Sequence, residues 1–141
     1  VYICWGRTNR SALIRVPSSF RGNPHATRVE LRSADPSCNI YLAFAIMLKA
    51  GLEGIKNNLK APAPLEEDLF LYSEEKLNEL KIDTIPHSLW ETLQELKKDK
   101  VIKSALGNHT YEKYIEAKNK EWNEYSIQVS KWEIDKYLER Y

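Results

Sequence analysis

Arg28, Glu30 and Arg32 alternate with the apolar Val29 and Leu31. In a strand, alternate residues stand about 6.7 Å apart on one face. The row therefore reads cation, anion, cation, with its outer members about 13 Å apart. A carboxylate between guanidinium groups stays ionised, because positive charge nearby favours its charged form. Such a carboxylate suits a hard divalent cation, Mg²⁺ or Mn²⁺, which takes oxygen ligands. An arginine on either side can hold a different anion through planar, paired hydrogen bonds. Arg10 and Arg15, from the segment before, bring four arginines toward one area. A triphosphate with a metal is the natural guest of that field. Arg10 and Arg15 are five positions apart, which places them on opposite faces of a straight strand. A shared site requires a bend or bulge near Asn9. Without a ligand, the same row is a cross-strand ladder of ion pairs on a solvated sheet, and spacing alone does not choose between the two.

The surrounding residues supply little else for catalysis. One carboxylate is too few for a metal cage. His25, His87 and His109 fall on a loop, before a helix cap and at a helix start, without metal-ligand spacing. Neither Cys4 nor Cys38 has a plausible general base near it in sequence, and no glycine-rich phosphate loop is present. Most of any active site must come from elsewhere.

Charge is unevenly spread. Of the seven arginines, six lie in the first 36 residues, whereas all fourteen lysines lie at Lys49 or later. The first 36 residues carry six arginines against Glu30 and Asp35, a local charge of +4, and the remainder carries −3. The net charge of +1 argues against a chain built mainly to hold nucleic acid. With 141 residues, 43% hydrophobic and 29% charged, the chain has the size and composition of one globular domain. The longest near-continuous apolar stretch, Ile40 to Ala50, is about half of the 20 or so residues that span a bilayer. Two cysteines do not make a disulfide framework. The chain begins at Val1 and its only methionine is Met47, so it is expected to be excised from a longer polypeptide.

The elements that must position the arginines are short. Val1 to Trp5 is β-branched and aromatic and reads as a strand. Ser11 to Val16 alternates and ends at Pro17, and Thr27 to Arg32 alternates again. The pattern predicts the last two as antiparallel strands joined by a long Ser/Gly/Asn/Pro loop over 18–26. From Asn39 to Asn57 the sequence predicts a helix, apolar on nearly every side and therefore buried. Ala61 to Pro64 is a linker, and Ser73 to Leu80 a short helix. Ser88 and Glu91 form a capping-box pattern opening a helix to Lys98. A further short helix ends at Gly107, and Asn108 caps a long helix with an aromatic stripe of Tyr111, Trp122 and Tyr125 suited to a core or a subunit interface. The fold class is α+β, with strands first and helices after.

Several segments then become recognisable in order: Asn9-Arg10-Ser11-Ala12, Ile14-Arg15-Val16-Pro17, Thr27 through Ser33, Asp35-Pro36-Ser37-Cys38-Asn39 and Ala50 through Lys56. Ala105-Leu106-Gly107, Glu116-Ala117-Lys118 and Gln128 through Glu133 continue the series. This succession resembles the C-terminal third of glutamine synthetases of the prokaryotic type I class. The resemblance implies strands of the catalytic sheet in residues 1–36, and a helical region with a C-terminal oligomer anchor in 37–141. It implies a cytoplasmic ligase of nitrogen metabolism and glutamine biosynthesis that joins ammonia to glutamate at the expense of ATP, through γ-glutamyl phosphate, with Mg²⁺ or Mn²⁺. By similarity Glu30 is a metal ligand, Arg15 and Arg28 contact ATP phosphates, Arg10 binds glutamate and steadies the transferring phosphoryl group and the intermediate, and Arg32 holds the glutamate carboxylate. The family assembles as a dodecamer of two hexameric rings with sites shared between subunits, so the isolated chain is expected to be inactive. Where some members have a lysine that helps with ATP, this chain has His25. Phe70 stands where some members have an adenylylated tyrosine, and no adenylylation is expected. A relative that joins glutamate to polyamines or other amines would carry the same residues. A non-catalytic anion-binding module, gripping RNA or phosphorylated protein, is a third reading.

Overall fold

The computed structural model describes residues 1–18 and 24–138. Most of the loop expected over 18–26, Arg21 included, lies outside the described residues, as do Arg140 and Tyr141 of the tail. The chain divides into two compact units, Val1–Ile85 and Pro86–Tyr141. As the sequence pattern predicts, a small sheet comes first and helices follow.

Unit one holds a three-stranded sheet in the order β1 (Tyr2–Gly6), β2 (Ala12–Arg15), β3 (Glu30–Leu31). β2 and β3 are antiparallel, as alternation predicts, with Ile14 opposite Leu31 and Arg15 opposite Glu30. The Arg32 amide extends the pairing by donating to the Leu13 carbonyl at 2.9 Å. β1 runs parallel to β2, a partnership that its composition does not announce. Parallel neighbours ordinarily need a crossover of about a dozen residues or more. Here the return is only Arg7–Ser11, and side chains hold it in place. Asn9 and Ser11 are buried beside Ala12. Asn9 Oδ1 accepts from the Ser11 amide at 2.7 Å and from its hydroxyl at 2.6 Å, a side-chain turn that bends the chain at the place where a site shared by Arg10 and Arg15 would need a bend.

The other edge of β1 is covered by the later part of the unit. The Leu65 amide donates to the Trp5 carbonyl at 2.8 Å, Trp5 Nε1 donates to Pro62 O at 2.7 Å, and Tyr2 bridges to Thr84. Asp68 caps a 3₁₀ turn at Leu69–Leu71, and Leu69 is fully buried.

α1 (Ile40–Lys56) starts where Asn39 Oδ1 accepts from the Tyr41 and Leu42 amides. This capping satisfies donors that the first helical turn leaves open. The sequence predicts a buried helix here, and the structure corrects that reading: none of its residues is buried, and Tyr41 is 80% and Ile55 75% exposed. A helix apolar on nearly every side needs cover from several directions, and the short strands and loops of this unit do not provide it. α2 (Glu74–Glu79) follows, capped by Ser73.

In unit two, α3 (Leu89–Lys98) begins at the Ser88 cap, whose Oγ accepts from the Glu91 amide at 3.2 Å. Glu91 reaches back one residue further than an ordinary capping box, to the His87 amide at 2.9 Å. α4 (Lys100–Ser126) is helical on both sides of a break at Gly107, which has φ 73° and ψ 160°. That conformation is essentially restricted to glycine and explains why the sequence reads as two helices. α3 packs on α4, with Leu93 and Tyr111 buried and Trp90 stacked on Trp122 at 6.5 Å. Part of the aromatic stripe is thus core within this unit. α5 (Lys131–Tyr137) carries a capping box between Ser130 and Glu133, whose Ser-x-x-Glu pattern is itself a helix-start signal.

Candidate active site

The antiparallel pairing of Arg15 with Glu30 puts their side chains on one face of the sheet. Arg15 Nη1 lies 3.3 Å from Glu30 Oε2. Arg28 Nε donates to Glu30 Oε1 at 2.9 Å, and Arg28 Nη1 donates to the Ala26 carbonyl at 3.3 Å. The carboxylate is therefore flanked by Arg15 and Arg28, one guanidinium from each strand segment. The hydrogen bond from Arg28 chiefly holds the Glu30 carboxyl below its ordinary range, and the charges of Arg15 and Arg28 add to it. Glu30 and Arg15 are half-buried, and Arg28 is more exposed.

Arg32 is exposed on the continuation of β3, and Arg10 is exposed within the Asn9 bend. Neither side chain makes a hydrogen bond or ion pair among the described residues. The structure thus brings Arg15, Glu30 and Arg28 into direct contact, and leaves the guanidinium groups of Arg10 and Arg32 open to solvent. The ends of Arg10 and Arg32 can turn toward a guest without first breaking an ion pair.

A residue that sequence reasoning missed is Glu66. Its carboxylate accepts from the Arg7 amide at 3.0 Å, the Thr8 amide at 2.9 Å and the Thr8 hydroxyl at 3.0 Å. These bonds, the Thr8 amide first, hold the Glu66 carboxyl below its ordinary range. Arg15 Nε in turn donates to the Arg7 carbonyl at 3.2 Å. Nothing in the local pattern around Glu66 links it to residues almost sixty positions earlier.

Residues of the strands and the linker also line an apolar groove of about 460 Å³, with Ile3, Trp5, Leu13, Val16, Val29 and Pro62 on its walls. Burial raises the Cys4 thiol there, which keeps it protonated. Among the described residues, no three of His, Cys, Asp and Glu gather as a metal cage. The donor set fits a contribution of one carboxylate ligand, Glu30, to a hard-cation site completed by other groups.

Residues 1–137 match the family described as glutamine synthetase, catalytic domain. The chain belongs to the glutamine synthetase family. It is 54% identical over 138 residues to the glutamine synthetase of Thermotoga maritima, covering 98% of this chain and 31% of that relative. It is 50% identical over 138 residues to the glutamine synthetase of Methanocaldococcus jannaschii, covering 98% of this chain and 30% of the relative. A solved structure of apo GmaS without ligand superposes with a TM-score of 0.79 at 29% identity, over 96% of this chain and 30% of that one. The chain therefore spans about a third of the length of the curated relatives it matches. No helix among the described residues is long and apolar enough to cross a membrane.

Proposed function

We propose that this chain supplies the C-terminal part of the active site of an ATP-dependent glutamate–ammonia ligase. The observation that carries the reading is Glu30 held between the guanidinium groups of Arg15 and Arg28, on the strand that continues to Arg32. In the reaction, the γ-phosphoryl group of ATP passes to the side-chain carboxylate of glutamate, giving ADP and an acyl phosphate. Ammonia then attacks the acyl carbon and inorganic phosphate leaves. Arg15 and Arg28 bind ATP phosphates, with the charge and planar donors that phosphate oxygens require. Arg10 steadies the phosphoryl group in transfer and the intermediate, and Arg32 holds the carboxylate of glutamate. Glu30 contributes an oxygen ligand to a Mg²⁺ or Mn²⁺ ion, which when bound neutralises charge on the phosphate oxygens.

A single flanked carboxylate and the exposed apolar surface of α1 both support a chain that works within a larger polypeptide and assembly. The assembly we propose is the cytoplasmic dodecamer of two hexameric rings, with Trp132 to Tyr141 serving as an anchor between subunits. Residues 1–36 would carry the site and 37–141 the helical support. By itself the chain would turn over no ATP and glutamate.

The test replaces the corresponding third of the Thermotoga maritima relative with this chain and measures glutamine formed from glutamate, ammonia and ATP. Activity that falls about 100-fold or more on changing Glu30→Gln or Arg10→Ala supports the reading, a loss of the size seen when a group that stabilises developing charge is removed. Activity indifferent to both substitutions overturns it. Turnover by the isolated 141 residues would overturn the need for partners. Product formed with a diamine in preference to ammonia, in the intact polypeptide carrying this chain, would reassign it to a glutamyl-amine ligase. Steeply salt-dependent RNA binding would favour the anion-binding module.

A further inference from the structure

One segment, Leu65–Leu69, grips the Arg10 bend from both sides. Before Arg10, the Glu66 carboxylate takes the Arg7 and Thr8 amides, and Asn9 Nδ2 donates to the Leu65 carbonyl at 3.0 Å. After Arg10, the Leu69 amide donates to Ser11 Oγ at 3.1 Å, beneath which Leu69 itself is fully buried. Arg10 is thus the exposed residue of a bend whose neighbours on both sides are tied down. The Arg7 carbonyl, fixed by the same capture of consecutive amides, accepts from Arg15 Nε. Consecutive backbone N–H groups that converge on an anion form a concave nest, and here the anion is part of the protein.

We propose that Glu66 is a positioning residue for the arginine site: by holding the Arg7–Thr8 backbone, its carboxylate sets the carbonyl that orients Arg15 and the bend that presents Arg10. Arginine has a long, rotamer-rich side chain, and a fixed acceptor on Nε leaves its two terminal nitrogens aimed at Glu30 and at an incoming anion. A carboxylate suits the task because four donor contacts, from two amides and a hydroxyl, fall on its two oxygens. An amide in its place has one acceptor oxygen, and turns a donor toward N–H groups that also donate. Glu66 touches no reacting atom in this arrangement. It acts through Arg15 and Arg10.

The inference rests on the ligase reading for its functional meaning, but its geometry is tested separately. In the full chain, hydrogen exchange at Arg15 Nε–H and at the Arg7 and Thr8 amides is measured by NMR for wild type, Glu66→Gln and Glu66→Asp. The expected result is exchange about tenfold faster or more at all three positions in Glu66→Gln, the factor that loss of one charged hydrogen bond implies, with partial recovery in Glu66→Asp. If the two amides lose protection while Arg15 Nε–H is unchanged, Glu66 is a loop staple only and the proposal fails. Thr8→Val removes just the hydroxyl contact and serves where Glu66→Gln does not fold. It is expected to give a smaller change in the same direction, and no change refutes the proposal.

In the Thermotoga chimera, Glu66→Gln is expected to lower kcat by about ten- to 100-fold, the range typical of residues that orient a functional group. The KM for glutamate should rise by a smaller factor than kcat falls, because Arg32, which holds the glutamate carboxylate, is not held by this clamp. An unchanged kcat refutes the proposal. A wild-type chimera without activity would overturn the ligase reading alone, and the Arg15 Nε–H measurement would still decide the clamp.

Discussion

Gly6→Ala should dislocate the arginine bend without touching an arginine. Gly6 ends β1, and a Cβ built there presses into the backbone carbonyl oxygen of Leu65, lies 3.0 Å from Asn9 Cβ and 3.4 Å from Leu65 C. The obstacle is main chain, which cannot rotate away as a side-chain tip can. The Leu65 peptide must retreat by about 1 Å to reach an ordinary contact. Two hydrogen bonds pass through that residue, its amide to Trp5 O at 2.8 Å and its carbonyl from Asn9 Nδ2 at 3.0 Å. A retreat of that size takes both beyond hydrogen-bond range. Overpacking strain costs about 1–3 kcal/mol, and each lost bond about 0.5–1.5 kcal/mol, giving roughly 2–6 kcal/mol in all. At a urea dependence of about 2 kcal/mol per molar, the unfolding midpoint of this unit falls by about 1–3 M. Native-state hydrogen exchange supplies the local readout, with the Leu65 amide losing its protection. Gly51→Ala is the internal control. Nothing lies within 4 Å of its Cβ position inside α1, so the change should stabilise the chain by about 0.5–1 kcal/mol. A Gly6→Ala midpoint within about 0.2 M of wild type, with Leu65 still protected, would refute the steric reasoning.

Gly107→Ala places a side chain at φ 73°, ψ 160°, and should cost about 1–3 kcal/mol, read as a lower unfolding temperature of the helical unit. Leu93→Ala empties a fully buried site between α3 and α4 and should cost about 2–5 kcal/mol in urea unfolding. The Glu66 carboxyl is held below its ordinary value of 4.5, so the folded state binds its proton less tightly than the unfolded chain does. Its latch is complete above that value and is released as pH falls through the lower folded pKa, a transition visible in the Thr8 amide shift and absent in Glu66→Gln. Phe70 has no hydroxyl and packs at 5.6 Å against Tyr2, so exposure to an adenylylating enzyme should leave the mass of the 65–72 segment unchanged.

Much of the frame was legible because local rules governed it. Alternation at 11–16 and 27–32 gave the β2–β3 pair, and Asn9 bends the chain at the place where a site shared by Arg10 and Arg15 would need it. Ser88 and Gly107 announced a helix start and a helix break through chemistry confined to a few residues. The sequence also singled out Glu30 with its flanking cations and drew Arg15 toward them; in the structure Arg28 and Arg15 contact the carboxylate, and Arg32 makes no ion pair with it. The parallel partnership of β1 was not legible, because a five-residue return between parallel strands depends on bonds to the distant 62–69 segment. Glu66 was hidden for the same reason. The burial expected of α1 was not found, because an apolar composition does not say which surface supplies the cover.

β3 is brief, and among the described residues β2 alone forms its ladder, through two residue pairs and the Arg32 amide. So short a ladder has little to resist sliding, and displacement by one place would trade the charged row for Val29 and Leu31. The attraction between Arg15 and Glu30 opposes that slide, which makes it a register pin as well as a piece of chemistry. Any charge-neutralising change at Glu30 made to probe phosphate or metal therefore also loosens the alignment of the strand that presents it. Separating the two consequences requires watching the Arg32–Leu13 bond alongside turnover.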